Sequence, residues 1–148
     1  MNSVTATLLL RIASVLTFIH CVLHTIGGVF GSPTHGTEEI AVIETMKSHR
    51  FDFLGSMRSY WDFFFGYGLH VTVILFFLAV LFWLLGSLAK TNPSAMRPIT
   101  GVFCLNFLAM TVVSWKYFFI APAINELLIA LCLAVAFAKS RGAAGAAN

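Results

Sequence analysis

Glu126 is the only carboxylate inside any apolar segment of this 148-residue chain. A carboxylate among hydrocarbon needs a partner or a proton. His24 is the matching group. A His24–Glu126 pair lets one member hold a proton for the other, which is what acid/base catalysis on an apolar substrate requires. The plainer alternative is a buried polar pair that only fixes helix register.

His24 belongs to a stripe. Ala13, Thr17, His20, His24 and Gly28 follow one another in steps of four, three, four and four. On a helix they share one face, small and polar, that is costly to turn toward lipid and permits close helix approach. His20 and Asn125 join His24 and Glu126 as candidates to orient a ligand. A second group lies in the stretch from Arg58 to His70. Arg58, Asp62, Gly66 and His70 recur every four residues and are expected on one helical face. Tyr67 and His70 are expected inside, and Arg58, Trp61 and Asp62 at a rim. Trp61, Trp115 and Tyr117 are expected to wall the pocket or to anchor the interface. An Arg58–Asp62 ion pair is the ordinary reading of that spacing.

Other chemistries fit less well. A bis-histidine haem site needs histidines at one level on facing helices. His24 and His70 come out roughly 8 Å apart in height at about 1.5 Å of rise per residue. His20 and His24 have the i, i+4 spacing of metal-binding helices, but the single carboxylate leaves a di-iron site short of ligands. Cys21, Cys104 and Cys132 are isolated in apolar segments and give no disulfide framework, zinc site or Cys-x-x-Cys-His haem attachment. No metal and no cofactor is expected.

The elements that must carry these residues follow from composition. The chain is 59% hydrophobic and 10% charged, with a net charge of +3. A soluble domain carries about 25% charged residues, so this chain cannot cover its surface in water. Its expected partner is a lipid bilayer, not a nucleic acid. One all-α domain over residues 1–141 is expected, an integral membrane four-helix bundle with spans at 12–30, 60–88, 99–119 and 123–138. A signal peptide at the start is disfavoured, because the region before Arg11 is apolar and no small-x-small cleavage site follows. Gly31-Ser32-Pro33 breaks the first helix. Thr37 is the expected N-cap of a short amphipathic helix in the first extracytoplasmic loop, a connector or a lid. A turn is expected at Thr91-Asn92-Pro93-Ser94, and a very short link after Tyr117 makes the last two spans an antiparallel hairpin. The Gly/Ala tail at 142–148 is expected to be disordered.

Arg11, Lys90, Arg97, Lys139 and Arg141 fall on one side of this topology, so the positive-inside rule places both termini in the cytoplasm of an inner (plasma) membrane protein. Counting depth from Arg11, Leu88, Pro98 and Ala138 at about 1.5 Å per residue puts His20, His24, Asn125 and Glu126 in one outer layer, at roughly 14–20 Å.

The Arg58-Ser59-Tyr60-Trp61-Asp62-Phe63 run, Gly66-Tyr67-Gly68, and Trp115-Lys116-Tyr117-Phe118-Phe119 resemble the Tyr-Trp-Asp-Phe and Trp-x-Tyr-Phe-Phe signatures of a group of small bacterial membrane proteins. The resemblance covers most of the chain. It implies a four-helix inner-membrane fold and carries no activity. In architecture alone the chain is similar to DoxX-like proteins and to the EXPERA domain of sterol isomerases, whose pocket is lined by His, Glu, Asn and Trp. Residue types match there but no motif does, so no catalytic role is carried over.

The expectation is an intramembrane polar pocket open to the outer leaflet. It binds a small apolar ligand (isoprenoid, sterol-like or quinone) and converts it, if at all, as an isomerase, cyclase or hydrolase would by acid/base chemistry. The competing class is a non-catalytic accessory or scaffold protein. Transport through four spans with one internal carboxylate would need a homo-oligomer.

Overall fold

The computed structural model describes residues 2–140. The tail at 142–148 lies outside the described residues, as does Arg141. Four helices are long and apolar enough to cross a membrane, at Val4–Val29, Tyr60–Thr91, Pro93–Tyr117 and Ile120–Lys139. The all-α bundle expected from composition is therefore the architecture. In chain order the elements are α1 (Asn2–Leu23), a wider π-helical turn (His24–Val29), α2 (Thr37–Ser48), β1 (Arg50–Phe53), β2 (Ser56–Ser59), α3 (Tyr60–Thr91), α4 (Pro93–Tyr117) and α5 (Ile120–Lys139).

Two compact units divide the chain. The first holds the residues up to His20 and those from Leu75 onward. Its core is a set of helical stripes: Ala6, Leu10 and Ala13 on α1, Phe82, Leu85 and Ala89 on α3, Phe107 on α4, and Ile129, Leu133 and Ala136 on α5. Lipid supplies no hydrophobic force between helices, so close packing of small residues does the joining. Ala13, Ala79, Gly86 and Ala89 are buried for that reason. Hydroxyls in this core donate to carbonyls. Thr17 donates to Ala13, Thr100 to Met96 and Ser140 to Ala136 within their helices, while Ser14 reaches across to the Ala79 carbonyl at 2.6 Å. Inside a bilayer, where water is scarce, such internal partners keep hydroxyls satisfied.

Several boundaries differ from expectation. α1 begins at Asn2, so Arg11 lies inside a helix and does not mark its edge. The expected Thr91–Ser94 turn shrinks to Asn92 alone. Its side chain accepts from the Ala95 amide, and Pro93 needs no amide partner at a helix start. Pro98 then sits within α4 instead of before it.

The second unit is Cys21–Ile74. Here the chain holds a β-hairpin where only helix and connector were expected. β1 and β2 pair antiparallel, Phe53 opposite Ser56, around a two-residue turn. Leu54 and Gly55 both take positive φ, 52° and 81°. Such a turn matches the twist of paired strands, and it normally prefers Asn or Gly where Leu54 stands. Phe51 and Phe53 share a strand face and pack on Tyr60 and Phe63, with ring centroids 5.0–6.2 Å apart. That aromatic contact holds a hairpin whose turn signal is weak.

α2 forms where expected but buries none of its residues. Its N-cap is Gly36, not Thr37, which is the first helical residue. Glu39 does the capping work from inside the helix. Its Oε2 accepts from the Thr34 and His35 amides, each at 2.7 Å. The His35 amide, with help from the His35 ring and the Thr34 amide, holds the Glu39 carboxyl below its ordinary range.

Candidate functional site

In the first unit, α5 buries a stripe running Ala123, Glu126, Ile129, Leu133 and Ala136. Glu126 thus occupies a core position on the helical repeat, at 2% exposure. Its Oε1 accepts from Ser114 Oγ at 3.0 Å. Ser114 lies on the matching buried stripe of α4. The link between α4 and α5 is only Phe118 and Phe119, so residues near the two helix ends meet at one level. The other oxygen, Oε2, is buried and has no hydrogen-bond partner.

The neighbouring residue ties α5 to α1. Asn125 Nδ2 lies 3.3 Å from the Leu16 carbonyl and 3.2 Å from His20 Nδ1. A carbonyl only accepts, so the amide nitrogen is the donor and His20 Nδ1 accepts in turn. His20 therefore carries its ring proton on Nε2. The structure brings His20 and Asn125 together, and it gives Glu126 the partner Ser114.

His24 belongs to the second unit and has a partner there. Its Nε2 lies 3.0 Å from the Gly68 carbonyl, so that nitrogen bears the proton. Its Nδ1 lies beside Gly28, where a Cβ would come within 3.3 Å of it. The π-helical turn that carries His24 adds a residue to the ring of each hydrogen bond, as in the Phe30 amide to Thr25 carbonyl contact at 3.0 Å. Thr25 Oγ1 meets Thr72 Oγ1 at 3.0 Å and Cys21 Sγ meets the Thr72 carbonyl at 3.4 Å. The sequence stripe placed His24 on a polar face; the wider turn and the threonine pair were not read from it. Gly27, Gly28 and Gly31 were the available signal for irregular backbone.

The aromatic and charged candidates of the 58–70 stretch lie elsewhere than expected. Arg58 is on β2, off the helix, and donates to the Met57 carbonyl. Asp62 accepts from the Ser59 amide at 2.8 Å, and Ser59 Oγ accepts from the Asp62 amide at 3.2 Å. This reciprocal cap starts α3 and replaces the expected Arg58–Asp62 pair. Tyr67, expected inside, is 71% exposed, and His70 is exposed with Nδ1 on the Gly66 carbonyl. The reason is phase: Gly68 and Thr72 face the His24 turn, and Tyr67 and His70 fall on other faces of α3. Trp61 is half-buried, with Lys47 Nζ 5.2 Å over its ring. Trp115 and Tyr117 are 70% and 68% exposed. Among the described residues no three His, Cys, Asp or Glu side chains gather as a metal site would need.

No family model, curated protein or solved structure matches the chain. Among the described residues, Thr7 Oγ1, Arg97 Nε and Glu126 Oε2 are buried side-chain atoms without a hydrogen-bond partner, and of these only Glu126 belongs to a carboxyl that can give or take a proton.

Proposed function

We propose that this chain is an integral inner-membrane protein, both termini cytoplasmic, that binds a small apolar ligand of isoprenoid, sterol-like or quinone type through Glu126. The observation that carries the reading is the Glu126 Oε2 atom, buried without a partner. Burying a polar atom unsatisfied costs about 1–3 kcal/mol, and such atoms are rare in native cores unless they have a use. An ionised Glu126 accepts from a ligand hydroxyl; a protonated one donates to a ligand carbonyl. Conversion of the ligand would use the same oxygen to give or take a proton. Ser114 holds the other oxygen in place, and Asn125 with His20 fixes α5 against α1. Entry requires α4 and α5 to part near Glu126.

The test is native extraction and mass spectrometry of co-purifying apolar lipids. Wild type is expected to retain a ligand that Glu126→Gln loses by about tenfold, the worth of one hydrogen bond near 1.4 kcal/mol. Identical lipid complements in two equally folded proteins would overturn the reading.

A second reading is favoured by a separate observation. The Ser114–Glu126 and Asn125–His20 contacts are direct bonds between helices. A non-catalytic accessory or scaffold protein would use them for register alone. Under that reading Glu126→Gln changes no bound lipid.

A further inference from the structure

We propose that the first unit carries a docking groove for an anionic phospholipid, with Arg11 as the headgroup ligand. This site is separate from the Glu126 reading and does not depend on it. An apolar groove of about 340 Å³ runs between α1 and α3, lined by Val15, Phe18, Phe76, Val80 and Trp83 over a floor of Ser14 and Ala79. The floor's only hydroxyl is spent on the Ala79 carbonyl. Nothing in the groove rewards a polar occupant, whereas a hydrocarbon chain fits its surface.

The groove leads to a fixed cation. The Arg11 guanidinium lies 3.5 Å above the Trp83 ring, and Nη2 donates to Ser87 Oγ at 2.9 Å. Gly86 makes room for it, since a Cβ there would come within 3.1 Å of Arg11 Nε. Trp83 is shared, one of the groove's walls and the platform for the cation. Arg11 lies about two turns inside its span, roughly 10 Å from Val4 at about 1.5 Å per residue. A cation at such depth needs an anion or a path to the headgroups. The only side-chain carboxylate of this unit is Glu126, which is bonded to Ser114. Among the described residues of this unit, no carboxylate is left free to serve Arg11 as counter-ion, and its remaining N–H donors suit a lipid phosphate bidentately. The acyl chain would lie in the groove, with the phosphate beside Arg11.

The full chain in mixed micelles of phosphatidylglycerol and phosphatidylcholine, read by native mass spectrometry, tests this. Wild type is expected to retain phosphatidylglycerol about tenfold over phosphatidylcholine. Arg11→Gln should erase the preference, and Arg11→Lys should keep part of it. Val80→Trp fills the groove without touching Arg11 and should lower retention of both lipids. Lys90→Gln should change nothing. Equal retention of both lipids by wild type overturns the proposal, as does an unchanged preference in Arg11→Gln. A loss in Lys90→Gln as large as in Arg11→Gln also overturns it, because general charge then explains the effect. Displacement of phosphatidylglycerol by millimolar inorganic phosphate would make the site one for free phosphate. Should Arg11→Gln fail to fold, Val80→Trp decides, and unchanged retention there overturns the groove.

Discussion

At the scale of single residues, Ser114 and Glu126 form the contact with the most to lose. Removing the hydroxyl leaves both carboxyl oxygens buried without a donor. Ser114→Ala should therefore cost about 1–2 kcal/mol, within the range of buried and intramembrane hydrogen bonds. Removing both partners should cost less, since an apolar pair has nothing left to satisfy. Unfolding in detergent of Ser114→Ala, and of Ser114→Ala combined with Glu126→Leu, measures both terms. Equal losses in the two proteins would show that packing volume, not the carboxyl, sets the stability here. Ser114 was visible in the sequence as a polar residue in the third span. Its role as the Glu126 partner was not, because pairing depends on which faces of α4 and α5 meet.

At the scale of elements, the polar segment between the first two spans departs most from expectation. Composition supports a loop with one helix, and α2 forms. The hairpin was hidden because its turn uses Leu54 at positive φ, where sequence reading looks for Asn-Gly. The N-cap of α2 falls one residue before the expected Thr37, with Glu39 accepting from the Thr34 and His35 amides, whereas α3 starts at Tyr60 as expected, under the reciprocal cap of Ser59 and Asp62. The Glu39 cap gives a pH dependence. Its carboxyl is held below its ordinary value in the fold by the His35 amide first. Stabilisation from this group is thus fully present above the ordinary carboxylate value, and it is lost as pH falls through the depressed one. Hydrogen-exchange protection of the Thr34 and His35 amides should fall on acidification through that window. In Glu39→Gln the protection should start lower and stay flat with pH. A wild-type profile as flat as that of Glu39→Gln would refute the cap.

At the scale of the whole molecule, charge is unevenly shared along the chain. Five of the six acidic residues lie between Glu38 and Asp62, while Arg11, Lys90, Arg97 and Lys139 lie in segments with no acid beside them. The proposed orientation follows from that asymmetry. With the native cysteines replaced, Ser32→Cys should react with a membrane-impermeant maleimide on intact cells. Ser94→Cys should react only after permeabilisation. The reverse pattern would invert the topology. The outward faces of the four long helices carry Phe, Leu, Val and Ile, which is the surface a bilayer requires.

The sequence by itself determined the class, an all-α bundle with four long apolar helices. Four apolar runs and too few charges admit a helical bundle with lipid as solvent, since every backbone amide must be satisfied within its own helix. It also determined which polar residues lie inside those runs, Glu126 and His24 among them. Only the tertiary structure decided their partners. A helical repeat fixes which residues share a face, but helix rotation decides what each face meets. Small residues such as Ala13, Gly86 and Ala89 allow close helix approach in the first unit. Helix rotation put Glu126 on Ser114, His24 on the Gly68 carbonyl, and Tyr67 and His70 on the outside of α3.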